Sequence, residues 1–308
     1  MRPPERAAGL AAATLAGVLA LGCGASAASK RPPRVVATIK TGVAPIGLAA
    51  GSGSIWVANY SGRTLARVDP RRNRVVARVA LDASPYGAAY GAGSVWVSSF
   101  DTVAVTRVDP ATNRVITRID AGIEQAGLAA STDAVWVAVY GTGQLVRIDP
   151  ATNAVSARVA LGGQPEDVVL AAGAVWVPNE NGTVARVDPA TNAVVARMRV
   201  GADPDNAVFC RGRLWVSSLR SPRLFVIDPA TNRVAGRVRV GTGTAGLECA
   251  RSLWVANYGT GQLLQVDPRR RRVVRRIGVG VQPREVVAAA GSLWVSNQAS
   301  STVSRIRY

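Results

Sequence analysis

The stretch GLAAGSGSIWVANYSGRTLARVDPRRNRVVARVAL, Gly47 to Leu81, holds four short apolar segments separated by Gly, Asn, Asp and Pro. The inner segment is GLAAG, the second SIWVANY, the third TLARVDP and the outer one RVVARVAL. Val and Ile dominate the last three and suit a pleated, half-buried surface, and no helical period competes with this pattern. The unit recurs along the chain. All seven tryptophans fall in its frame, at Trp56, Trp96, Trp136, Trp176, Trp215, Trp254 and Trp294, spaced by 39 or 40 residues. A period of that length, carrying four strands, belongs to a propeller blade.

The ends of the chain say how the ring closes. The last unit stops at STVSRIRY, which matches a third strand, while RVVATIKTG, Arg34 to Gly42, matches an outer strand. We therefore expect an all-β, seven-bladed β-propeller of four-stranded antiparallel blades over residues 34–308. The N-terminal strand, Arg34 to Lys40, should pair into the last blade beside Thr302 to Ile306, removing strand edges that would otherwise invite association.

WVAN at Trp56 and Trp254, WVSN at Trp294, and the recurrent DPATN followed by VxxR resemble the YVTN family of propeller repeats and the virginiamycin B lyase-like (streptogramin lyase) propellers. The resemblance covers the chain from Arg34 onward and implies the fold. It implies little about activity, because propellers host many functions. The lyases use a histidine general base with a magnesium ion, and this sequence has no histidine. A lyase reading would need a carboxylate base, Glu166 or Glu285, and a divalent cation, Mg or Ca, among acidic side chains.

At 308 residues and 48% hydrophobic, the chain can bury a substantial core and is not a disordered chain. Its net charge is +18, carried almost wholly by arginine, since Lys30 and Lys40 are its two lysines. Charge alone names no partner. Arg2 and Arg6 precede an apolar, alanine-rich run from Ala7 to Leu21, an export leader too short for a typical membrane span. Two cleavage sites fit. ASA at Ala25 to Ala27 gives a signal peptide over 1–27 and a linker over 28–33. LALGC, ending at Cys23, resembles a bacterial lipobox, would make Cys23 the lipid-modified N-terminus, and is favoured by the small residues GASAAS that follow. We expect export, either tethered at the outer face of the cytoplasmic membrane, with the anchor as the sole membrane contact, or secreted. Cys210 and Cys249 each precede a repeat tryptophan by five residues, in successive blades, and are expected to form a disulfide.

Most repeating residues read as structure. The tryptophans belong to packing between blades. Asp69, Asp109, Asp149, Asp188, Asp228 and Asp267 each precede proline and read as turn formers, without the alternating oxygen ligands of a calcium loop. Arg71, Arg72 and Arg74, and Arg269 to Arg272 with Arg275 and Arg276, form basic runs at the third-to-outer turns. They are a candidate surface for nucleic acid or an anionic polymer, although no aromatic residues interleave with them.

One position departs from the repeat. Where the inner strand begins, the blades carry Ile46-Gly47, Tyr86-Gly87, Ala126-Gly127, Glu166-Asp167, Asp205-Asn206, Ala245-Gly246 and Arg284-Glu285. Glu166, Asp167, Asp205, Asn206, Arg284 and Glu285, with Tyr86 as an aromatic wall, should meet at the channel mouth. Glu124, Asp203 and Asp82 in adjoining loops, and Glu180, Asp101, Tyr60, Tyr140 and Tyr258 in hairpins, share that end. No nucleophile elbow, phosphate loop or zinc spacing is present. We read the chain as a monomeric, non-catalytic module that binds a small molecule, a cation or an envelope protein through an acidic mouth.

Overall fold

A computed structural model describes residues 32–201 and 203–308. The expected leader, both cleavage sites, Cys23 and most of the 28–33 linker lie outside the described residues. The described chain forms seven four-stranded antiparallel sheets arranged as a ring, with no helix among them and therefore none able to cross a membrane. Blade 1 runs through Pro45–Gly51, Ser54–Asn59, Thr64–Asp69 and Arg74–Ala80, and the other blades repeat that order. Arg34–Lys40 pairs with Thr302–Arg307 as the outer strand of blade 7, from Arg34 opposite Arg307 to Lys40 opposite Thr302. The ring is closed by strands from both ends of the chain.

Burial changes from the channel outward, which explains the composition of each strand. Second strands such as Ser54–Asn59 are buried at every position, while outer strands such as Arg74–Ala80 alternate between exposed and covered residues. There is no single central core. Instead, seven apolar clusters occupy the seams, each joining one blade's tryptophan to the second strand of the next. Trp56 of blade 1 meets Val95 and Val97 of blade 2, and Trp294 of blade 7 meets Ile55 and Val57 of blade 1. All seven tryptophans are nearly or wholly buried. One buried indole in every seam adds to the apolar burial that holds a propeller together.

Five seams share a second device that the sequence reading overlooked. A third-strand arginine, Arg67, Arg107, Arg147, Arg186 or Arg305, lies over its own blade's tryptophan at 4.7–5.4 Å. The same guanidinium reaches the next blade's turn. Arg107 donates to the Pro150 carbonyl at 2.6 Å and to Asn153 Oδ1 at 2.6 Å, and Arg305 makes the matching bonds to Pro70 and Asn73. Each asparagine sits at a positive φ near +55°, which Asn tolerates better than most residues. The aspartate that opens the turn accepts its following amides, as Asp109 Oδ1 does from Ala111. The signal was present as the recurrent Arg two residues before Asp-Pro.

Two seams lack the arginine. Blade 6 carries Gln265, and blade 7 has no connecting turn for it to reach; Tyr308 packs against Trp254 there, with ring centroids 5.9 Å apart. Blade 5 carries Val226, and blade 6 carries Arg271 where the other turns have asparagine. That seam contains the Cys210–Cys249 disulfide, with Cα atoms 5.4 Å apart.

Candidate functional site

In six blades the pairing of first and second strands slips at one place. Pro45 pairs with Asn59 and pairing resumes at Leu48 opposite Val57, so Ile46 and Gly47 are left out of the ladder. The same slip frees Tyr86-Gly87, Ala126-Gly127, Asp205-Asn206, Ala245-Gly246 and Arg284-Glu285. A bulge re-aims side chains, here into the channel. In blade 4 the slip widens into a break: Pro165 still bridges Asn179, but the strand resumes only at Val169 opposite Trp176. Glu166 and Asp167 occupy that break.

The bulged pairs surround a small chamber of about 50 Å³, where Tyr86, Glu166, Asp167, Asp205, Asn206, Arg284 and Glu285 all meet. At roughly 30 Å³ per water molecule, that space admits one small polar group or a water or two. A second chamber of about 270 Å³ adjoins it and is lined by Leu48, Ala88, Leu128, Val168 and Leu247. Gly47, Gly87, Gly127, Asp167, Asn206 and Glu285 line both chambers and form the waist between them.

The two members of each pair therefore do different work. At the waist, glycine lets neighbouring inner strands touch: a Cβ on Gly47 would meet the Tyr86 carbonyl at 2.5 Å, and one on Gly246 the Arg284 carbonyl at 2.4 Å. At other places on the waist a side chain makes the link between neighbouring blades. Asp167 Oδ2 accepts from the Ala207 amide at 3.2 Å, and Asn206 Oδ1 accepts from the Leu247 amide at 3.0 Å. Burial pushes Asp167 up to about 7, against its bonds to the Val168 and Ala207 amides. Glu285 accepts from the Val286 amide at 3.1 Å, and burial, then Asp167, raises it well above the usual carboxylate range.

The first members face the mouth. Burial pushes Glu166 up to about 9, reinforced by Asp205 and by Glu180, with whose carboxyl it shares a hydrogen bond. Glu180 in turn accepts from the Tyr140 hydroxyl at 2.8 Å, and Tyr140 is pushed up to about 12, by burial first and then by that bond. Asp205 is raised by burial and stands with no hydrogen bond or ion pair among the described residues; Arg284 partly offsets its charge. Burial opposes the charge on Arg284, but Tyr86, Asp205 and Glu166 outweigh it and keep the guanidinium ionised. Arg284 donates to the Tyr86 hydroxyl at 2.7 Å and lies between the Tyr86 and Tyr258 rings, at 5.9 and 5.7 Å.

An aromatic arc completes the mouth. Tyr60, Tyr86, Phe100 and Tyr140 form a continuous run with centroid separations of 6.5, 5.8 and 6.1 Å. The sequence reading named the tyrosines and overlooked Phe100, which alignment on the tryptophans would have found four residues after Trp96. Other acidic residues of this end are engaged elsewhere. Asp101 accepts from the Ser84 amide and hydroxyl and pairs with Arg63 at 3.1 Å; Asp82 pairs with Arg118, and Asp203 with Arg220 at 3.3 Å.

The divalent cation that a lyase reading would need finds no fitting donor set among the described residues. Among the described residues, no group of three or more acidic, histidine or cysteine side chains is arranged to hold a metal ion. Of the carboxylates there, Asp167 and Glu285 accept from amides, Glu166 and Glu180 share a hydrogen bond, and Asp205 stands apart.

No protein-family model matches the chain, and no curated protein does so by sequence. Solved structures do match in shape. Hydrazine synthase of Kuenenia stuttgartiensis superposes with a TM-score of 0.76 at 18% identity, covering 87% of this chain and 96% of that one. A streptogramin B lyase gives 0.75 at 13% identity over 87% and 94%, and virginiamycin B lyase from Staphylococcus aureus gives 0.77 at 11% over 90% and 100%. At these identities the likeness establishes a shared seven-bladed fold, that of the lyases the sequence resembles, and leaves the chemistry of the site to its own residues.

Proposed function

We propose that the protein is an exported, non-catalytic binding module that captures a protonated amine in the acidic mouth of its channel. The observation that carries this reading is Asp205, a desolvated carboxylate facing the small chamber without a hydrogen-bond partner among the described residues. A cationic group placed there would supply the charge that Arg284 meets only in part and would relieve repulsion from Glu166. The chamber's size suits an ammonium group, while the ring run from Tyr60 to Tyr140 offers the rest of the ligand an aromatic wall and cation–π attraction. Export is supported by the N-terminal charge and apolar run and by the cysteine pair, and Cys23 is the proposed site of attachment.

Thermal unfolding with butylamine, and with uncharged butanol of the same chain length, tests the reading. Butylamine should raise Tm and butanol should not, because a ligand of the native state stabilises by mass action. The effect should grow between pH 6 and 9 as bound cation displaces the proton held by Glu166, and it should vanish in Asp205→Asn. Equal shifts from amine and alcohol, or an undiminished shift in Asp205→Asn, would overturn the proposal.

A further inference from the structure

The seam between blades 5 and 6, at the opposite end of the ring from the mouth, departs from the other seams in two linked ways. In five seams a third-strand arginine fills the groove and bonds an asparagine of the next turn. Here Val226 replaces the arginine, and Arg271 replaces the asparagine that would have accepted from it. The bridge is reversed: Arg271 Nη1 reaches back to the Ala235 carbonyl of blade 5 at 3.2 Å. Among the described residues no guanidinium is stacked on Trp215, and the groove stands open, with a volume of about 290 Å³.

Arg211, Arg213, Arg269 and Arg271 line this groove, with Val226 and Trp215 in its floor. Arg213 pairs with Asp228 at 3.3 Å. Arg211, Arg269 and Arg271 make no ion pair among the described residues; Arg211 donates to the Arg251 carbonyl, and the nearby Asp267 is taken up by the Arg269 and Arg270 amides and the Arg270 side chain. A position that elsewhere accepts a cation has become a pocket of guanidinium donors. Its walls belong to two blades fixed together by Cys210–Cys249, so the donors converge on a prearranged space.

We infer that the blade 5–6 seam is a binding site for a phosphate ester. Guanidinium forks match phosphate oxygens in pairs, and a volume of about ten waters, at ~30 Å³ each, holds a phosphate with a few attached carbon and oxygen atoms. The phosphate group is common to two sources, a free phosphorylated small molecule and a phosphodiester-linked envelope polymer.

Isothermal titration of the full chain with glycerol 3-phosphate and with poly(glycerol phosphate) tests the site. The decisive variant is Val226→Arg with Arg271→Asn, which rebuilds the seam found between five other pairs of blades and leaves the net charge unchanged. It should fold and should bind phosphate esters at least ~10-fold more weakly, the loss expected when charged hydrogen bonds are removed. If it does not fold, Arg211→Gln with Arg269→Gln should show the same loss, while Arg71→Gln with Arg72→Gln on blade 1 should not. A preference for glycerol 3-phosphate assigns the small-molecule source, and a preference for the polymer assigns the envelope source. Undiminished binding by the rebuilt seam, equal losses at blades 1 and 6, or no saturable binding of either probe would overturn the inference.

Discussion

The two ends of the ring obey different rules. At the Asp-Pro turns, five seams repeat one arrangement of tryptophan, arginine and asparagine almost atom for atom, from Arg67 with Asn113 to Arg305 with Asn73. At the mouth, the pairs released by the bulge range from Ala-Gly to Glu-Asp and Arg-Glu. The turn end packs blade against blade, so in those five seams each copy meets the same neighbour and is held to the same residues. The bulged pairs face a channel, where a side chain can change without disturbing a partner in its own sheet. Identity among repeats marks packing here, and variation marks freedom to bind.

The largest expected effect sits at the turn end. Arg107→Ala removes two charge-assisted bonds to blade 3 and uncovers Trp96, and should destabilise the protein by about 2–3 kcal/mol in urea denaturation. Arg67→Ala should cost a similar amount. If the two differ by more than the cost of either, the seams are not equivalent and the contrast between the ends weakens.

The next effect separates the two members of one mouth pair. Asp167→Gly leaves the Ala207 amide without its acceptor and should cost about 1–3 kcal/mol at pH 6. Asp167→Asn should stay near the parent, since Asn206 makes the equivalent bond one blade later. A harmless Asp167→Gly would return that residue to the class of freely varying positions.

The last effect has the opposite sign. Glu166 ionises near 9 in the folded chain and near its ordinary value when unfolded, so the native state holds a proton that the unfolded chain gives up. Its contribution therefore declines as pH rises from about 4.5 through 9. Glu166→Gln cannot titrate; its Tm should exceed the parent's at pH 8.5 and match it at pH 4.5. A gain at low pH or a loss at high pH would mean that Glu166 is held as a stabilising anion.

The sequence alone determined the blade count, the four strands of each unit and the closure of the ring by Arg34–Lys40, because these depend on a local pattern repeated seven times. It also determined which residues share the mouth, since alignment on the tryptophans puts equivalent positions at equivalent places. It did not distinguish Glu166 from Asp167. That required the backbone, where one bulged residue faces the chamber and the next spans to an amide of the following blade. Phe100, the Arg–Asn links and the open seam at Val226 were likewise written in the repeat, but their meaning lay in contacts between residues some forty positions apart. A periodic sequence specifies its blade. The ring decides which neighbour each blade receives, and so whether a carboxylate closes a gap or waits in a channel.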